Sequence, residues 1–380
     1  MKRVWDWCKA EVVLCIAMIL AIVSSFFVKP DKVYLEYIDF RTLAILFCLM
    51  AVMVGFQTIG LFQTIAERLL GRVHHIRAII FVLISLCFFS SMVITNDVAL
   101  ITFVPFTFIV LDMVLGKDAK KMVAPVVVMQ TIAANLGSML TPIGNPQNLY
   151  LYGKADMGFG SFVLWMLPYT VISFALLTIW CMCFPYQGEK RFVFQIESKS
   201  KVARHKSITI IYGVLFLLCV LTVADVIPYI ITLLVVVVII GVLDYKVFLK
   251  VDYSLLLTFV GFFVFIGNMG RVPAFNALLQ KVIEGNEILT AVVASQFMSN
   301  VPAALLLSGF TSRYELLVVG TNLGGLGTLI ASMASLISFK YIGKEYKDLK
   351  GKYFWYFTGF NVLFLMILLL CTWIIFTKIL

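Results

Sequence analysis

SMVITND, residues 91–97, places Thr95, Asn96 and the acid Asp97 inside an apolar run from Ala78 to Leu111 that holds no other charged residue. A carboxylate in such a run persists when it binds, couples or pairs with something, because an ionised group is costly in hydrocarbon. Basic residues flank the run on both sides, Arg68, Arg72 and Arg77 before it and Lys117, Lys120 and Lys121 after it. By the positive-inside rule both ends lie at the cytoplasmic face. The run therefore reads as a hairpin whose two arms, roughly 17 residues each, dip into the membrane and return. Its polar tip lines a cavity, since a reentrant loop stands only where protein or water satisfies its backbone.

The rest of the chain supports a membrane setting. Its 380 residues are 62% hydrophobic and 13% charged, with a mean hydropathy of +1.02, a composition outside the range of water-soluble globules. The apolar runs have helical length, so the fold class is an all-α polytopic membrane protein rather than a barrel. The net charge of +10 sits in short segments between apolar runs, which favours membrane topology over a nucleic-acid partner. The eight cysteines, Cys8, Cys15, Cys48, Cys87, Cys181, Cys183, Cys219 and Cys371, lie mostly in or beside apolar runs and read as small hydrophobes. Met1–Lys9 followed by Ala10–Val28 has the outline of a signal sequence but no clear small-residue cleavage site, and reads as a first helix.

Eleven apolar elements follow, at 11–28, 42–60, 78–111, 122–153, 161–184, 208–225, 229–243, 253–270, 288–311, 317–339 and 354–377. The loop 188–206 carries Lys190, Arg191, Lys199, Lys201, Arg204 and Lys206, and Lys340–Lys352 holds five lysines. Placing both segments inside requires 288–311 to be a second hairpin, entering and leaving at the outer face. Nine crossings and two hairpins result, with the amino end cytoplasmic and the carboxyl end external, in an inner (plasma) membrane.

The two halves echo each other. IDF at Ile38–Phe40 matches VDY at Val251–Tyr253, ITND around Asn96 matches MSNV around Asn300, and ANLGSMLTPIG at 134–144 matches TNLGGLGTLIA at 321–331. Five crossings separate the repeat starts, so the halves have opposite orientation, and inverted repeats with interrupted helices mark secondary transporters. The expected organisation is an N-terminal helix (1–37), a first inverted repeat (38–184) with hairpin 78–111 and broken helix 122–153, a cytoplasmic loop with two linking helices (185–250), and a second repeat (251–380) with hairpin 288–311 and broken helix 317–339.

Four segments then share one chemistry, the tips Thr95–Asp97 and Ser299–Pro302 and the breaks Asn135–Asn148 and Thr321–Ser335. Gly137, Pro142, Gly144 and Pro146 interrupt one helix, and Gly324, Gly325 and Gly327 loosen the other, freeing carbonyls for a hard cation and helix ends for an anion. The candidate binding residues are Thr95, Asn96, Asp97, Asn135, Gly137, Thr141, Gly144, Asn145 and Asn148 in the first half. In the second they are Ser299, Asn300, Thr321, Asn322, Gly324, Thr328 and Ser332. Candidate sodium ligands are Thr95, Asn96, Asp97 and Gly144 on one side, and Ser299, Asn300 and Ala331 on the other. The competing reading is structural: Asn96 and Asn300 stitch the turns, Asn145, Gln147 and Asn148 cap broken helices, and Asp97 pairs with Arg68 or a helix amino end.

Asp97 has no acidic counterpart, Val301 standing in its place, so it adds a cation or proton site to one half only. No arginine or lysine lies in the tips or breaks, so a highly charged anion requires helix ends, hydroxyls and a co-bound cation to offset its charge. Enzyme chemistry has no support: His74, His75 and His205 form no metal spacing or triad, and Lys117 in VLGKDAKK lacks the glycine pattern of a phosphate loop. The chain contains no ATPase motif and implies no cofactor beyond sodium or a proton as coupling ion.

From about Ile38 to Phe376 the sequence resembles the ion transporter superfamily of arsenical permeases, divalent anion:sodium symporters, citrate transporters and sodium/proton antiporters. The resemblance rests on Thr95-Asn96-Asp97 and Ser299-Asn300-Val301, which answer to the Ser-Asn-Thr motif of the hairpin tips. TND followed by ALITFVP, with NLGSMLTPIGN, is nearest to arsenical permease-like members. The third tip position departs from the anion-symporter motif in both halves. The resemblance implies an ion-coupled transporter of a small anion or oxyacid that works as a homodimer among membrane lipids. Sodium/proton antiport and a non-transporting receptor or scaffold are the alternative functions.

Overall fold

The computed structural model describes residues 11–183 and 206–379; residues 1–10, with Cys8, and most of the basic loop, with His205, lie outside them. Seventeen α-helices occupy the described residues. In chain order they are α1 (Val12–Phe27), α2 (Phe40–Thr58), α3 (Leu61–Leu70), α4 (Ile76–Ser90), α5 (Asn96–Leu115), α6 (Ala119–Gly137), α7 (Pro146–Ala155), α8 (Phe159–Cys183) and α9 (Lys206–Val223). They continue with α10 (Tyr229–Asp244), α11 (Tyr253–Gly270), α12 (Pro273–Ile283), α13 (Glu287–Met298), α14 (Asn300–Ser308), α15 (Tyr314–Gly324), α16 (Met333–Glu345) and α17 (Lys350–Ile379).

Eight helical segments among the described residues are long and apolar enough to cross a membrane, and α1, α4 and α13 are shorter apolar helices. The outer helices leave large apolar side chains exposed, Phe26, Val242 and Trp355 among them, as a lipid-facing surface requires. Helix α6 is the reverse case. Every residue from Met122 to Met139 is buried, so a mostly apolar helix becomes the axis of the fold, and its few polar residues, Gln130, Thr131 and Asn135, are hydrogen-bonded inside it. Around it pack α4, α5, α8, α16 and α17, while α2, α9 and α10 form a second group. Helix α1 lies along α11, where Gly261 admits the Ala17 backbone and Asn268 Nδ2 donates to Ser24 Oγ at 3.0 Å.

Two elements were not visible as apolar runs. Helix α3 is interrupted by Gln63, Glu67 and Arg68 and helix α12 by Asn276, Gln280 and Lys281, so their apolar positions are too sparse to form a run. A left-handed Gly60 (φ 72°) turns the chain into α3, and Pro273 opens α12 at a position whose N–H needs no partner.

The interrupted elements carry the interest. The run 78–111 divides into α4 and α5 across residues 91–95, and 288–311 divides into α13 and α14 at Ser299. Ser299 has φ 74° and ψ 154°, a conformation that costs a non-glycine residue about 1–3 kcal/mol and persists where neighbours hold it. The expected helix 122–153 is α6, a short 3-10 turn, a tight turn at residues 141–145 and α7. The expected helix 317–339 is α15 and α16 separated by residues 325–332.

Candidate functional site

The tips meet the breaks through the backbone. Asn96 N–H donates to the Gly144 carbonyl at 3.3 Å, and Asn300 N–H donates to the Ala331 carbonyl at 2.9 Å. Each break is fastened again by a threonine: Thr141 Oγ1 donates to the Met92 carbonyl, and Thr328 Oγ1 donates to the Gln296 carbonyl at 3.1 Å. The residues that open α7 and α16 share one extended conformation, Asn145 at φ −144°, ψ 145° and Ser332 at φ −141°, ψ 137°. Asp39 and Asp252, which cap α2 and α11, match as well, at φ −79°, ψ 85° and φ −78°, ψ 85°. Their carboxylates accept from Thr42 N at 2.9 Å and Leu255 N at 3.0 Å.

Side chains then cross between the halves. Asn135, at the end of α6, accepts at Oδ1 from Asn96 Nδ2 at 2.9 Å and from Ser332 Oγ at 3.0 Å. Its Nδ2 reaches the Gly325 carbonyl and Ser335 Oγ, both at 3.4 Å. Asn322, at the end of α15, does the converse: Nδ2 donates to Asn148 Oδ1 at 2.7 Å and Oδ1 accepts from Asn145 Nδ2 at 3.4 Å. Each asparagine thus reaches the residue that caps the following helix in the opposite half and one in that helix's first turn, 332 and 335 or 145 and 148. All six residues are buried, where polar groups need partners.

Gly137 and Gly324 belong to the packing. A Cβ on Gly137 would stand 2.0 Å from the Phe88 carbonyl oxygen, and one on Gly324 would stand 2.6 Å from Ser295 Oγ. Gly144 lies against the Ser138 carbonyl in the same way, at 2.1 Å. Thr321 stands apart from the polar hub: its hydroxyl turns back to Leu317 O at 2.7 Å within its own helix. Thr328 is exposed and attached to Gln296.

Ser138, Ser335 and Gln296 complete the arrangement without having been singled out. Ser138 Oγ receives Asn145 Nδ2 at 2.7 Å. Gln296 Nε2 donates to the carbonyls of Gly324 and Leu326, each at 3.0 Å, and its Oε1 accepts from Thr328 N at 2.9 Å. The spacing of Ser332 and Ser335, one helical turn like Asn145 and Asn148, was the available signal for Ser335.

On the first-half side a cavity of about 150 Å³ opens beside the tip, lined by Thr95, Asp97, Asn145, Gln57, Lys250 and Asp252 among others. Asp97 Oδ1 and Asn145 Oδ1 are buried with no hydrogen-bond partner, and both belong to this lining. Asp97 occupies the first turn of α5, where the helix end favours negative charge. No ion pair among the described residues joins it to Arg68, so that expected alternative is replaced by the helix end. Asp97 and Asn145 each bring an unpartnered oxygen to the residues of this lining, the type of group that a hard cation or, for the carboxylate, a proton takes. The second half offers less, since Ser299 Oγ is turned to Asn300 Oδ1 at 3.4 Å and Val301 replaces the acid. Among the described residues no three His, Cys, Asp or Glu side chains gather as a metal cluster.

Residues 4–311 match the model of the citrate transporter family. The chain belongs to that family. An uncharacterized transporter of Methanocaldococcus jannaschii is 33% identical over 315 residues, covering 82% of this chain and 84% of that protein. The inner membrane protein YbiR of Escherichia coli is 31% identical over 330 residues, covering 85% and 86%. A silicon efflux transporter of Oryza sativa subsp. japonica is 28% identical over 156 residues, 41% of this chain and 31% of that protein. As a citrate transporter family member the protein is a secondary transporter of small anions, not an enzyme.

Proposed function

We propose that the protein is an ion-coupled secondary transporter of a small oxyacid of low charge, driven by a sodium or proton gradient. The observation that carries this reading is the crossed pairing of Asn135 and Asn322 at two helix breaks, each met by a tip backbone N–H. It is the arrangement expected of two inverted repeats, each with a reentrant hairpin and a discontinuous helix, enclosing a site near the membrane midplane. The tips and breaks, from Thr95 to Asn148 and from Ser299 to Ser332, form the binding region, with sodium or a proton on the Thr95, Asp97, Gly144 side. In the proposed topology the amino end is cytoplasmic and the carboxyl end external. The hairpins and broken helices move against α2, α9 and α10, and the protein works as a homodimer.

Charge decides the substrate class. The first-half cavity has two carboxylates, Asp97 and Asp252, against one lysine, Lys250, so a multiply charged anion is repelled there until cations offset it. A neutral or singly charged oxyacid fits with one coupling cation. Sodium/proton antiport is the second reading, favoured by the buried Asp97 Oδ1, which has no hydrogen-bond partner and belongs to a residue of this lining.

Purified protein in liposomes tests both readings. Gradient-driven uptake is measured for arsenite, silicic acid, phosphate-like and sulfate-like oxyanions, dicarboxylates and citrate. Substrate accumulation that collapses with the sodium or proton gradient is expected; sodium-dependent proton efflux without any substrate supports antiport instead. Asp97→Asn keeps the size of the side chain but removes its charge and titration. It should flatten the sodium or pH dependence and suppress accumulation more than it weakens equilibrium substrate binding. Full accumulation with unchanged ion dependence in the folded variant sinks the coupling role.

A further inference from the structure

Away from the polar hub, α3, α4 and α5 enclose an apolar groove of about 600 Å³, within the roughly 300–1,000 Å³ of small-molecule sites. Its walls include Ile65 and Leu69 of α3, Val82 and Phe89 of α4, and Phe103 of α5, and Arg72 lies in the same lining. The wall residues Ile65, Leu69 and Phe89 are between 42% and 50% exposed. From Val82 to Ser90 the groove follows α4 for about 12 Å at 1.5 Å per residue. It then continues past the helix end to Val93 and Ile94, immediately before Thr95. That length approaches the depth of one leaflet, about half of the roughly 30 Å hydrocarbon core.

The charge at the entrance is predominantly positive, three arginines against Glu67. Arg68, Arg72 and Arg77 are exposed, and no ion pair joins any of them to an acid among the described residues. The acid nearest in sequence, Glu67, accepts from Gln63 Nε2 at 3.0 Å. Phe62, Ile65 and Leu69 follow one another at helical spacing along one stripe of α3, and Arg72, in the turn just beyond the helix end, lies in the same lining.

We infer that this groove is a binding site for an anionic phospholipid, one acyl chain lying along α4 and the phosphate held at Arg72. A basic segment next to an acyl-sized apolar channel suits that ligand, because each Lys or Arg near the surface adds attraction for anionic lipid. A zwitterionic lipid fills the channel equally well but gains little from Arg72. The acyl end reaches Val93 and Ile94, so the bound lipid touches the segment that carries Thr95, Asn96 and Asp97 and sets how freely that tip moves. The site does not depend on which substrate the protein carries.

Native mass spectrometry of the full chain from mixed micelles tests this with phosphatidylglycerol and phosphatidylcholine of identical acyl chains. Preferential retention of phosphatidylglycerol is expected, falling about fivefold in Arg72→Gln, the effect of one basic contact, and returning in Arg72→Lys. Val82→Trp, which fills the channel, should lower retention of both lipids while Arg72 is intact. Equal retention of the two lipids by the wild type, or unchanged retention in Arg72→Gln, overturns the inference. A wild-type dimer that Val93→Trp converts to monomers also overturns it, since the groove is then a contact between two copies. Transport is not part of the readout, so failure here leaves the transport reading standing.

Discussion

Asn135→Ala removes the side chain on which both halves converge. The lost contacts are two short bonds, from Asn96 Nδ2 at 2.9 Å and Ser332 Oγ at 3.0 Å, and two long ones at 3.4 Å. Interhelical hydrogen bonds in membrane proteins contribute about 0.6 kcal/mol on average and at most about 1.7 kcal/mol. The two short bonds together account for about 1–3 kcal/mol, with the long ones adding little. Asn322→Ala loses one short interhelical bond, to Asn148 at 2.7 Å, so its cost should be about half as large. Reversible unfolding in mixed micelles gives both values, and a double-mutant cycle of Asn135→Ala with Ser332→Ala isolates one bond at about 0.6 kcal/mol or more. Uptake measured alongside should fall in Asn135→Ala, because hairpin tip and broken helix lose their common anchor. A stability loss for Asn135→Ala no larger than that for Asn322→Ala, or a cycle without measurable coupling, refutes the hub.

Two further substitutions probe the framework around it. Gly137→Ala drives a Cβ to within 2.0 Å of a backbone oxygen of α4 and 2.6 Å of Ser91 Oγ, so overpacking of about 3 kcal/mol should appear as a lowered melting temperature or loss of the monodisperse peak; a normal melting profile contradicts the packing. Gln296→Ala releases bonds to Val292, Gly324, Leu326 and Thr328, and amide exchange across residues 325–331 should accelerate at least about tenfold; an unchanged exchange pattern would assign the order of that break to its backbone alone.

The interruptions were legible because polar and glycine-rich clusters in apolar runs have few physical explanations. Asp97, the TND and SNV tips and the two NLG breaks all stood out by contrast with their surroundings. The echo of IDF and VDY was legible too, and the matched caps at Asp39 and Asp252 give it a physical content. What could not be read was pairing. Nothing in the sequence ties Asn135 to Ser332, nearly two hundred positions away, or distinguishes Thr321, which folds back on its own helix, from Asn322 beside it. Gln296 escaped notice because one amide inside an apolar arm resembles an ordinary polar interruption until the carbonyls it serves are in place. Helices α3 and α12 were hidden for the opposite reason, since short amphipathic helices between spans look like charged linkers.

The matching places of Asp97 and Val301 have an electrical consequence. The break-closing residues Asn145 and Ser332 and the caps Asp39 and Asp252 match in backbone geometry while Asp97 and Val301 differ in charge, so what likeness there is between the two segments does not extend to their electrostatics. If Asp97 is the coupling site of the proposed transport cycle, a bound cation or proton neutralises it, and without one any movement of the segment that carries it displaces a net negative charge through whatever fraction of the membrane field it crosses. A full crossing is worth about 2.3 kcal/mol per 100 mV. In the transport reading the unloaded return step is therefore the voltage-dependent one, and membrane potential sets the pace of the cycle even for a substrate that carries no charge.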